Sequence, residues 1–295
     1  MKTTQLQLTL LTIMLGWIAS SIGHAQSTID ATNKYAYGAN TGWINFRHNT
    51  PTSPAGISVQ GSFLTGFAYA ANTGWINFGT TPTNGHTFSN TGSDFGVNQD
   101  GAGNLSGFAY SANTGWINFG WAVVSNPDRP RFDLVTGNFA GFAYSANTGW
   151  VNLGSGYLQT DTISRPDSDG DGIADAWERL HFLNLTAANA SSDFDKDGSS
   201  DLSEYLADTN PKNLSDYLRV TFQSFAAAYT QTTMTFTSKP TRVYRLEHSP
   251  NLNHPWTNSS LGTFAPDGGT TTTRNFNFPS DSRRFFRACA QLPLQ

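Results

Sequence analysis

Two short acidic segments of the sequence, DSDGDGIADAWE and DFDKDGSSDLSE, share one spacing of oxygen-bearing side chains. Each carries aspartate at positions 1, 3, 5 and 9, glycine at position 6 and glutamate at position 12. Calcium prefers about six to eight hard oxygen ligands, which this spacing supplies from aspartates, a position-7 carbonyl, a water-bridged position-9 aspartate and a bidentate glutamate. We therefore predict two structural Ca²⁺ ions. The predicted ligands are Asp167, Asp169, Asp171, Ile173, Asp175 and Glu178 in the first loop, and Asp193, Asp195, Asp197, Ser199, Asp201 and Glu204 in the second.

The sequence before the first acidic loop is unlike the entering helix of an EF-hand. Pro166 abuts the loop, and the preceding DTIS has no apolar stripe of helical period. The DSDGDGIAD string instead resembles thrombospondin type-3 repeats and the related dockerin-like calcium modules of secreted bacterial proteins. This resemblance implies a structural metal that is not released as a signal. The Ser/Thr pair with which dockerins recognise cohesins is not recognisable, so that partner is not expected.

A short helix is predicted after each acidic loop, because an apolar stripe of helical period follows both. The stripes are Trp177, Leu180 and Leu183 in the first helix, and Leu202, Tyr205 and Leu206 in the second. We expect the two stripes to pack together. Loops and helices then form one unit over residues 161–212, which we call the acidic module.

Upstream, one twelve-residue pattern occurs four times, as YAYGANTGWINF, FAYAANTGWINF, FAYSANTGWINF and FAYSANTGWVNL. The copies begin at Tyr35, Phe67, Phe108 and Phe142. A repeat of this length indicates units that bury their apolar faces against their neighbours. Residues 26–160 are therefore predicted to form one domain, which we call the repeat head.

Each copy is predicted to be a β-hairpin. The Asn-Thr-Gly at its centre suits a type I turn followed by a glycine in the left-handed conformation. A further strand, the lead strand, precedes the hairpin in every copy except the first. Such three-stranded units could close like a small propeller or stack as an open array, and the sequence does not choose between them; closure removes exposed sheet edges.

The repeated aromatic residues have two interpretations. They could form the core that joins the units, or one ring per unit could be exposed as a stacking platform for sugars. The repeated asparagine after each Trp shares its face, so it either bonds the backbone nearby or meets a ligand. The candidate ligand-binding residues are Trp43, Trp75, Trp116, Trp150, Tyr37, Tyr69, Tyr110, Tyr144, Asn45, Asn77, Asn118 and Asn152.

Residues 213–295 are predicted to form a small β-sandwich, which we call the C-terminal module. Six candidate strands, separated by turn residues, include TTMTFTS, RVYRLEHS and SLGTFAP. The YRLEHSPNLNHPW segment and the late RRFFR resemble the fibronectin type III-like terminal domains of secreted bacterial proteins. The resemblance implies a sandwich, with Trp256 in its core.

Residues 1–25 have the pattern of a secretory signal peptide, with Lys2, an apolar run and small residues before a cleavage site after Ala25. We therefore expect a secreted, extracellular or cell-surface protein without membrane insertion after cleavage. Cys289 is the only cysteine, so no intramolecular disulfide is expected, and its role stays open. The sequence does not indicate an oligomeric state.

Charge and motif content narrow the function classes. The stretch 161–208 carries twelve acidic residues against three basic ones, whereas 212–295 carries nine basic against four acidic. Basic residues are scattered rather than clustered, so nucleic acid is not expected as a partner. No nucleophile–base pattern, free carboxylate pair or phosphate loop stands out, and no enzymatic activity is expected. The sequence favours a calcium-binding adhesion protein that engages polysaccharide or cell-surface glycan through the repeat head; the alternative is a purely structural surface or matrix component.

Overall fold

The computed structural model describes residues 27–48, 56–227, 229–253, 255–279 and 283–295. The predicted signal peptide, residues 1–25, lies outside these ranges. The described chain is mostly β, with 39% of residues in strands and 6% in helices, which confirms the predicted class. In chain order the strands are β1 (Ile29–Gly38), β2 (Gly42–Asn45), β3 (Ser58–Val59), β4 (Phe63–Thr65), β5 (Phe67–Ala70), β6 (Gly74–Asn77), β7 (Val97–Gln99), β8 (Leu105–Ser111), β9 (Gly115–Asn118), β10 (Arg131–Phe132), β11 (Phe139–Ala140), β12 (Phe142–Ser145), β13 (Gly149–Asn152), β14 (Leu158–Thr160), β15 (Val220–Phe225), β16 (Gln231–Thr237), β17 (Val243–Ser249), β18 (Thr257–Asn258), β19 (Thr271–Asn277) and β20 (Phe285–Gln291). The helices are α1 (Asp175–Phe182) and α2 (Asp201–Ala207).

Eight strands of the repeat head close into an antiparallel barrel, in the order β8-β6-β5-β2-β1-β13-β12-β9 and back to β8. Each copy contributes one hairpin, and the second strand of every hairpin pairs with the first strand of the next copy. The four copies therefore form neither of the expected arrangements, a propeller or an open stack. Closure of a single sheet pairs both edges of every hairpin, which leaves no free edge in the ring.

Glycines between lead strand and hairpin explain why the copies do not form propeller blades. Gly66, Gly107 and Gly141 have φ of 101°, 81° and 81°, a conformation that glycine adopts without steric cost. A β-carbon at Gly107 would clash with the carbonyl oxygen of Gly96. At these glycines the chain passes from the lead segment to the barrel wall: β8 runs through Gly107, pairs with β7 up to that residue and pairs with β9 after it.

The hairpin turns have the predicted form. In the first copy the N–H of Thr41 donates to the carbonyl oxygen of Gly38 at 3.2 Å, and Gly42 follows with φ of 75°. The equivalent glycines are Gly74, Gly115 and Gly149, with φ of 77°, 74° and 78°. The sequence Asn-Thr-Gly thus fixes both the turn and the pairing register of each hairpin.

The barrel interior is filled by small and aliphatic side chains with one ring of phenylalanines. Phe46 and Phe78 lie 5.3 Å apart between ring centroids, and Phe78 and Phe119 lie 5.4 Å apart. Phe139 of a lead segment packs against Phe46 at 6.4 Å, so the lead segments cover this end of the barrel. The buried apolar residues of the four hairpins are Ala36, Ile44, Phe46, Ala68, Ala70, Ile76, Phe78, Ala109, Ile117, Phe119, Ala143, Val151 and Leu153.

The first copy has a lead strand after all, contrary to the prediction. Strand β1 is ten residues long, and its N-terminal part pairs with β14, where Ile29 lies opposite Thr160. The partner of this lead strand comes from the chain after the fourth copy. Sequence comparison among the copies could not find it, since the pairing joins the two ends of the head.

The acidic module contains two helices that follow the loops, as predicted. In the described residues no helix lies before the first loop, and α1 ends at Phe182, eleven positions before the second loop begins at Asp193. Neither loop therefore has the entering helix of an EF-hand. Trp177 and Tyr205 pack with ring centroids 5.7 Å apart and join α1 to α2. The predicted stripe of α1 is wrong beyond Trp177: Leu180 is 57% exposed, and Leu183, 90% exposed, ends the helix in a left-handed conformation.

The C-terminal module is built from two three-stranded sheets, β15-β16-β19 and β18-β17-β20. Met234 and Phe236 of the first sheet pack against Tyr244 and Leu246 of the second. The predicted strand SLGTFAP is not formed, apart from a bridge between Phe264 and Tyr244; β18 takes its place earlier in the chain. Trp256 lies beneath the guanidinium of Arg287, 4.2 Å from the ring centroid, instead of in the core.

Direct contacts join the three modules. The N–H of Ser164 donates to the carbonyl oxygen of Val59 in the repeat head at 2.8 Å. Arg242 of the C-terminal module donates to the carbonyl oxygens of Tyr205 and Leu206 at 2.6 and 3.0 Å. Neither helix in the described chain has the length and hydropathy that a membrane crossing requires.

Candidate functional site

The two acidic loops fold in the same way. In each loop the position-1, position-3 and position-5 aspartates bring their carboxylate oxygens within 4.8 Å of one another. Asp167 accepts from the N–H groups of Gly170 and Gly172 at 2.8 and 2.9 Å, and the second loop repeats the pattern. There Asp193 accepts from Lys196 and Gly198 at 2.8 and 3.0 Å. The first aspartate of each loop therefore folds the backbone around the other two.

The position-12 glutamates are buried beside these aspartate clusters. Glu178 is fully buried and neither of its carboxylate oxygens has a hydrogen-bond partner in the structure. Burial, followed by the charges of Asp169 and Asp171, raises the pKa of Glu178 to about 7. The same causes, with Asp195 and Asp197 as the charges, raise the pKa of Glu204 to about 8.

Unpartnered buried carboxylate oxygens are costly unless a cation meets them. Besides both oxygens of Glu178, one oxygen each of Glu204, Asp171, Asp195 and Asp197 is buried without a partner. All of these oxygens belong to the predicted ligand residues. These unpartnered atoms are all carboxylate oxygens, and together with the predicted position-7 carbonyls of Ile173 and Ser199 they suit a hard divalent cation.

The position-9 aspartates, predicted as water-bridged ligands, make hydrogen bonds that hold the loops together. Asp175 accepts from the N–H and the hydroxyl of Ser168, both at 2.7 Å. Asp201 accepts from the hydroxyl of Ser192 at 2.5 Å. Each carboxylate thus ties the start of its loop to the start of the following helix. The two serines were missed, because no fixed loop position specifies them.

The repeated Trp and Tyr residues lie on the outer wall of the barrel. Trp43, Trp116 and Trp150 are 51%, 48% and 48% exposed, and Trp75 is half-buried. The interpretation of these rings as core is therefore wrong, since the inward face carries Ala, Ile or Val, and Phe. We call the eight outward rings the aromatic girdle. Its members are Trp43, Trp75, Trp116, Trp150, Tyr37, Tyr69, Tyr110 and Tyr144.

Every Trp of the girdle stands in a cluster of aromatic rings. Each contacts the Tyr opposite it in the hairpin, with centroids 4.7 to 5.1 Å apart. A ring from outside the hairpin completes the cluster. These additional rings are Tyr157 at 5.7 Å from Trp43, His48 at 4.9 Å from Trp75, Phe95 at 5.0 Å from Trp116 and Trp121 at 4.8 Å from Trp150. His48 and Trp121 both lie two residues after the end of the preceding copy, whereas Phe95 and Tyr157 share no such position. All four lie outside the twelve-residue pattern, so sequence reasoning missed them.

The four asparagines that follow the tryptophans have a structural role. The Oδ1 of Asn118 accepts from the N–H of Gly120 at 2.7 Å, and Asn152 accepts from Gly154 at 2.8 Å. Asn45 and Asn77 make the same bond two residues ahead. Their oxygen atoms therefore close a turn at the end of each strand. Of the two roles predicted for these asparagines, hydrogen bonding to the nearby backbone is the one that the structure shows.

Comparisons of the chain with protein-family models, with curated proteins and with solved structures gave no match. The function is therefore inferred from the two candidate sites alone. One is the pair of acidic loops, with its buried unpartnered oxygens. The other is the girdle, with four aromatic clusters on the barrel wall.

Proposed function

We propose that this chain is an extracellular calcium-binding protein that binds polysaccharide or cell-surface glycan through the aromatic girdle. The half-exposed tryptophans carry the proposal. Trp43, Trp116 and Trp150 each leave about half of their surface open to solvent. Flat aromatic faces with hydroxyl and amide groups nearby suit sugar rings, whose CH faces stack and whose hydroxyls accept and donate hydrogen bonds. The signal-like residues 1–25 support export.

Calcium is proposed as the ion of both acidic loops. Two observations support it: the spacing of the oxygen-bearing residues, and the buried carboxylate oxygens of Glu178 and Glu204 that lack partners. Bound at both sites, the ions would neutralise the crowded carboxylates and so stabilise the module. Their role is structural, because the module that they would stabilise contacts the repeat head through Ser164 and the C-terminal module through the end of α2.

Metal binding is tested by titrating metal-free protein with Ca²⁺ in a calorimeter. We expect two bound ions per chain, with Glu178→Gln and Glu204→Gln each weakening one site. Asp267→Asn serves as the control, since this carboxylate pairs with Arg274 far from the loops in sequence. Full binding by both glutamate variants would contradict the assignment.

Glycan binding is tested with the full chain on a panel of immobilised polysaccharides. We expect retention on at least one glycan, and weaker retention for Trp43→Ala, Trp116→Ala and Trp150→Ala. Val123→Ser is the control, because Val123 is an exposed apolar residue of the head outside the girdle. Folding of each variant is checked by its thermal transition.

The alternative, a structural component without a sugar ligand, rests on the ring contacts within each cluster. About half of every exposed Trp is buried and aromatic rings pack against it, so the clusters also stabilise the barrel wall. An absence of binding across the panel, together with unfolding of the Trp variants, would favour this alternative.

A further inference from the structure

The girdle tryptophans are distributed evenly around the barrel. They lie on β6, β2, β13 and β9, which are alternate strands of the eight-stranded ring. The strands between them carry the girdle tyrosines. Going round the wall, the order is Trp43, Trp75, Trp116 and Trp150, which is their order in the sequence. Trp75 is therefore opposite Trp150, and Trp43 is opposite Trp116.

Opposite tryptophans point away from each other across a solid barrel. The interior between them is filled by Phe46, Phe78 and their neighbours, so a ligand cannot pass through it. Neighbouring strands are spaced by about 4.8 Å, so successive tryptophans are about 10 Å apart along a wall that curves away. An extended, stiff chain that lies along one side of such a wall cannot reach the opposite side.

This geometry restricts how several sites can cooperate. Linked sites strengthen the binding of one ligand only when it can engage them at the same time. The girdle presents its clusters in four directions, so one stiff chain cannot engage all of them. Four outward sites can instead hold different chains.

The girdle also indicates the charge of its ligand. The four twelve-residue copies contain no Asp, Glu, Lys or Arg. Lys34, which lies over the ring of Tyr35, and Arg47 flank only the first copy. At the other three copies a polyanion would find no flanking cation to offset its charge, and its binding there would lose the Coulomb attraction that such ligands rely on. An uncharged polymer meets rings, amides and hydroxyls, and these require no charge complementarity.

The other two modules contact the head away from the hairpins. A β-carbon at Gly101 would lie 2.8 Å from Cγ2 of Thr241, and one at Gly85 would lie 3.3 Å from Cδ of Arg179. Both glycines belong to the segments between copies. The clusters around Trp43, Trp116 and Trp150 remain about half exposed in the presence of the whole described chain.

We infer that the repeat head cross-links separate chains of uncharged polysaccharide, with its aromatic clusters holding chains on different sides of the barrel. The inference rests on the proposed glycan binding and adds the ligand's charge class and the bridging mode. It needs no second copy of the protein.

The test mixes the full chain with soluble polysaccharides and measures viscosity and light scattering beside direct binding. The probes are an uncharged β-glucan, an uncharged galactomannan and polygalacturonate as the acidic counterpart. We expect binding of an uncharged probe and a several-fold rise in viscosity or scattering, little affected by 0.5 M NaCl. Short oligosaccharides of the same sugar should bind at more than one copy per protein and reverse the rise.

A single-cluster variant, in which Trp43, Trp75 and Trp116 are all changed to alanine, separates binding from bridging. It should bind one oligosaccharide per chain through Trp150 and produce no rise in viscosity. Persistent bridging by this variant would overturn the inference, since the bridge would then come from oligomerisation. If the variant does not fold, the oligosaccharide stoichiometry of the unaltered protein decides, and one bound ligand per chain overturns it.

The remaining outcomes distinguish the inference from the proposed function. Binding of an uncharged chain without bridging overturns the inference and leaves the proposed glycan binding standing. Binding of polygalacturonate alone does the same. Binding to no glycan overturns both.

Discussion

The side-chain amide of Asn40 donates to the carbonyl oxygen of Thr148 at 3.0 Å, across 108 positions of the sequence. The equivalent asparagines of the other copies donate to the preceding copy in the same way. These bonds are Asn72 to Thr41, Asn113 to Thr73 and Asn147 to Thr114, at 3.3, 3.0 and 2.9 Å. A cycle of four hydrogen bonds therefore joins the hairpin turns, and Asn40 closes it between the first copy and the last.

Removal of the closing amide should weaken the head. Asn40→Ala loses one side-chain hydrogen bond to the backbone, which typically contributes about 1 kcal/mol. We expect the free energy of unfolding to fall by about that amount, measured in urea by tryptophan fluorescence, since most tryptophans lie in the head. Asn253→Ala, at an exposed turn of the C-terminal module, is the control. Equal stability of the two variants would contradict a structural role for the cycle.

The turn glycines should not tolerate a side chain. Gly115 has φ of 74°, and a β-carbon there would lie 3.3 Å from Nδ2 of Asn147. Gly115→Ala should therefore lower the free energy of unfolding by about 1–2 kcal/mol, the cost of holding a non-glycine residue in the left-handed region.

Gly61→Ala provides the matched comparison. A β-carbon at Gly61 meets nothing within 4 Å, and its backbone lies outside the left-handed region. We expect this variant to be as stable as the parent or slightly more so, since alanine reduces the freedom of the unfolded chain. The same urea titration applies, and a larger loss for Gly61→Ala than for Gly115→Ala would refute the turn assignment.

Metal-free protein should lose stability as the pH rises. The pKa values of about 7 for Glu178 and about 8 for Glu204 lie above the ordinary 4.5, so the folded state holds protons that the unfolded state releases. This contribution is fully present below about pH 4.5 and is lost as the pH rises through about 7 and 8. Melting temperatures of chelator-treated protein from pH 4.5 to 8.5 measure it.

Glutamine at both positions isolates this effect. The double variant Glu178→Gln, Glu204→Gln keeps the side-chain shape but cannot titrate, so its metal-free melting temperature should vary less with pH. Saturating Ca²⁺ should likewise remove the decline in the unaltered protein, because the cation takes the place of the protons. Parallel pH profiles for the metal-free parent and the double variant would rule out the glutamates as the source.

Arg242 should determine how firmly the acidic module is held to the C-terminal module. Its guanidinium is buried and donates to the carbonyl oxygens of Tyr205 and Leu206 at the end of α2. Arg242→Met removes these donors and leaves the carbonyls unpaired, which costs about 1–3 kcal/mol for each group that stays buried. We expect faster limited proteolysis near residues 208–216. Arg274→Met, whose partners Asp267 and Ala265 lie outside that segment, should be cleaved there at the rate of the parent.

The parts of the molecule whose conformation is set by residues adjacent in the sequence could be predicted. The acidic loops and the hairpin turns belong to this group, because aspartate spacing and Asn-Thr-Gly constrain the backbone locally. The burial of α1 could not be predicted beyond Trp177, since a left-handed residue at Leu183 ends the helix before its stripe is complete. Closure of the barrel likewise depends on which strand edges meet, and β1 pairs with β13 across more than a hundred residues.

The sequence predicts which residues of a hairpin strand share a face, but it does not predict which of the two faces points into the barrel. Alternation along the strand correctly separates Trp43 and Asn45 from Ile44 and Phe46, but both faces are apolar enough to be buried. Volume decides between them. An eight-stranded barrel encloses only enough space for modest side chains, so alanine and isoleucine face inward and the indole rings are left outside.

The pairing of β13 with β1 has a consequence for how such a protein can change by duplication or deletion. In an open array, one more unit adds to an end, and the existing interfaces are unaffected. Here an extra hairpin would have to enter a ring whose circumference, tilt and internal volume are mutually dependent. Loss of one hairpin would leave a six-stranded ring, which encloses too little space for the phenylalanines that now fill the barrel. We therefore expect the number of copies to be inherited as a fixed quantity, while the segments between copies remain free to differ in length, as the unequal spacing of Trp43, Trp75, Trp116 and Trp150 already shows.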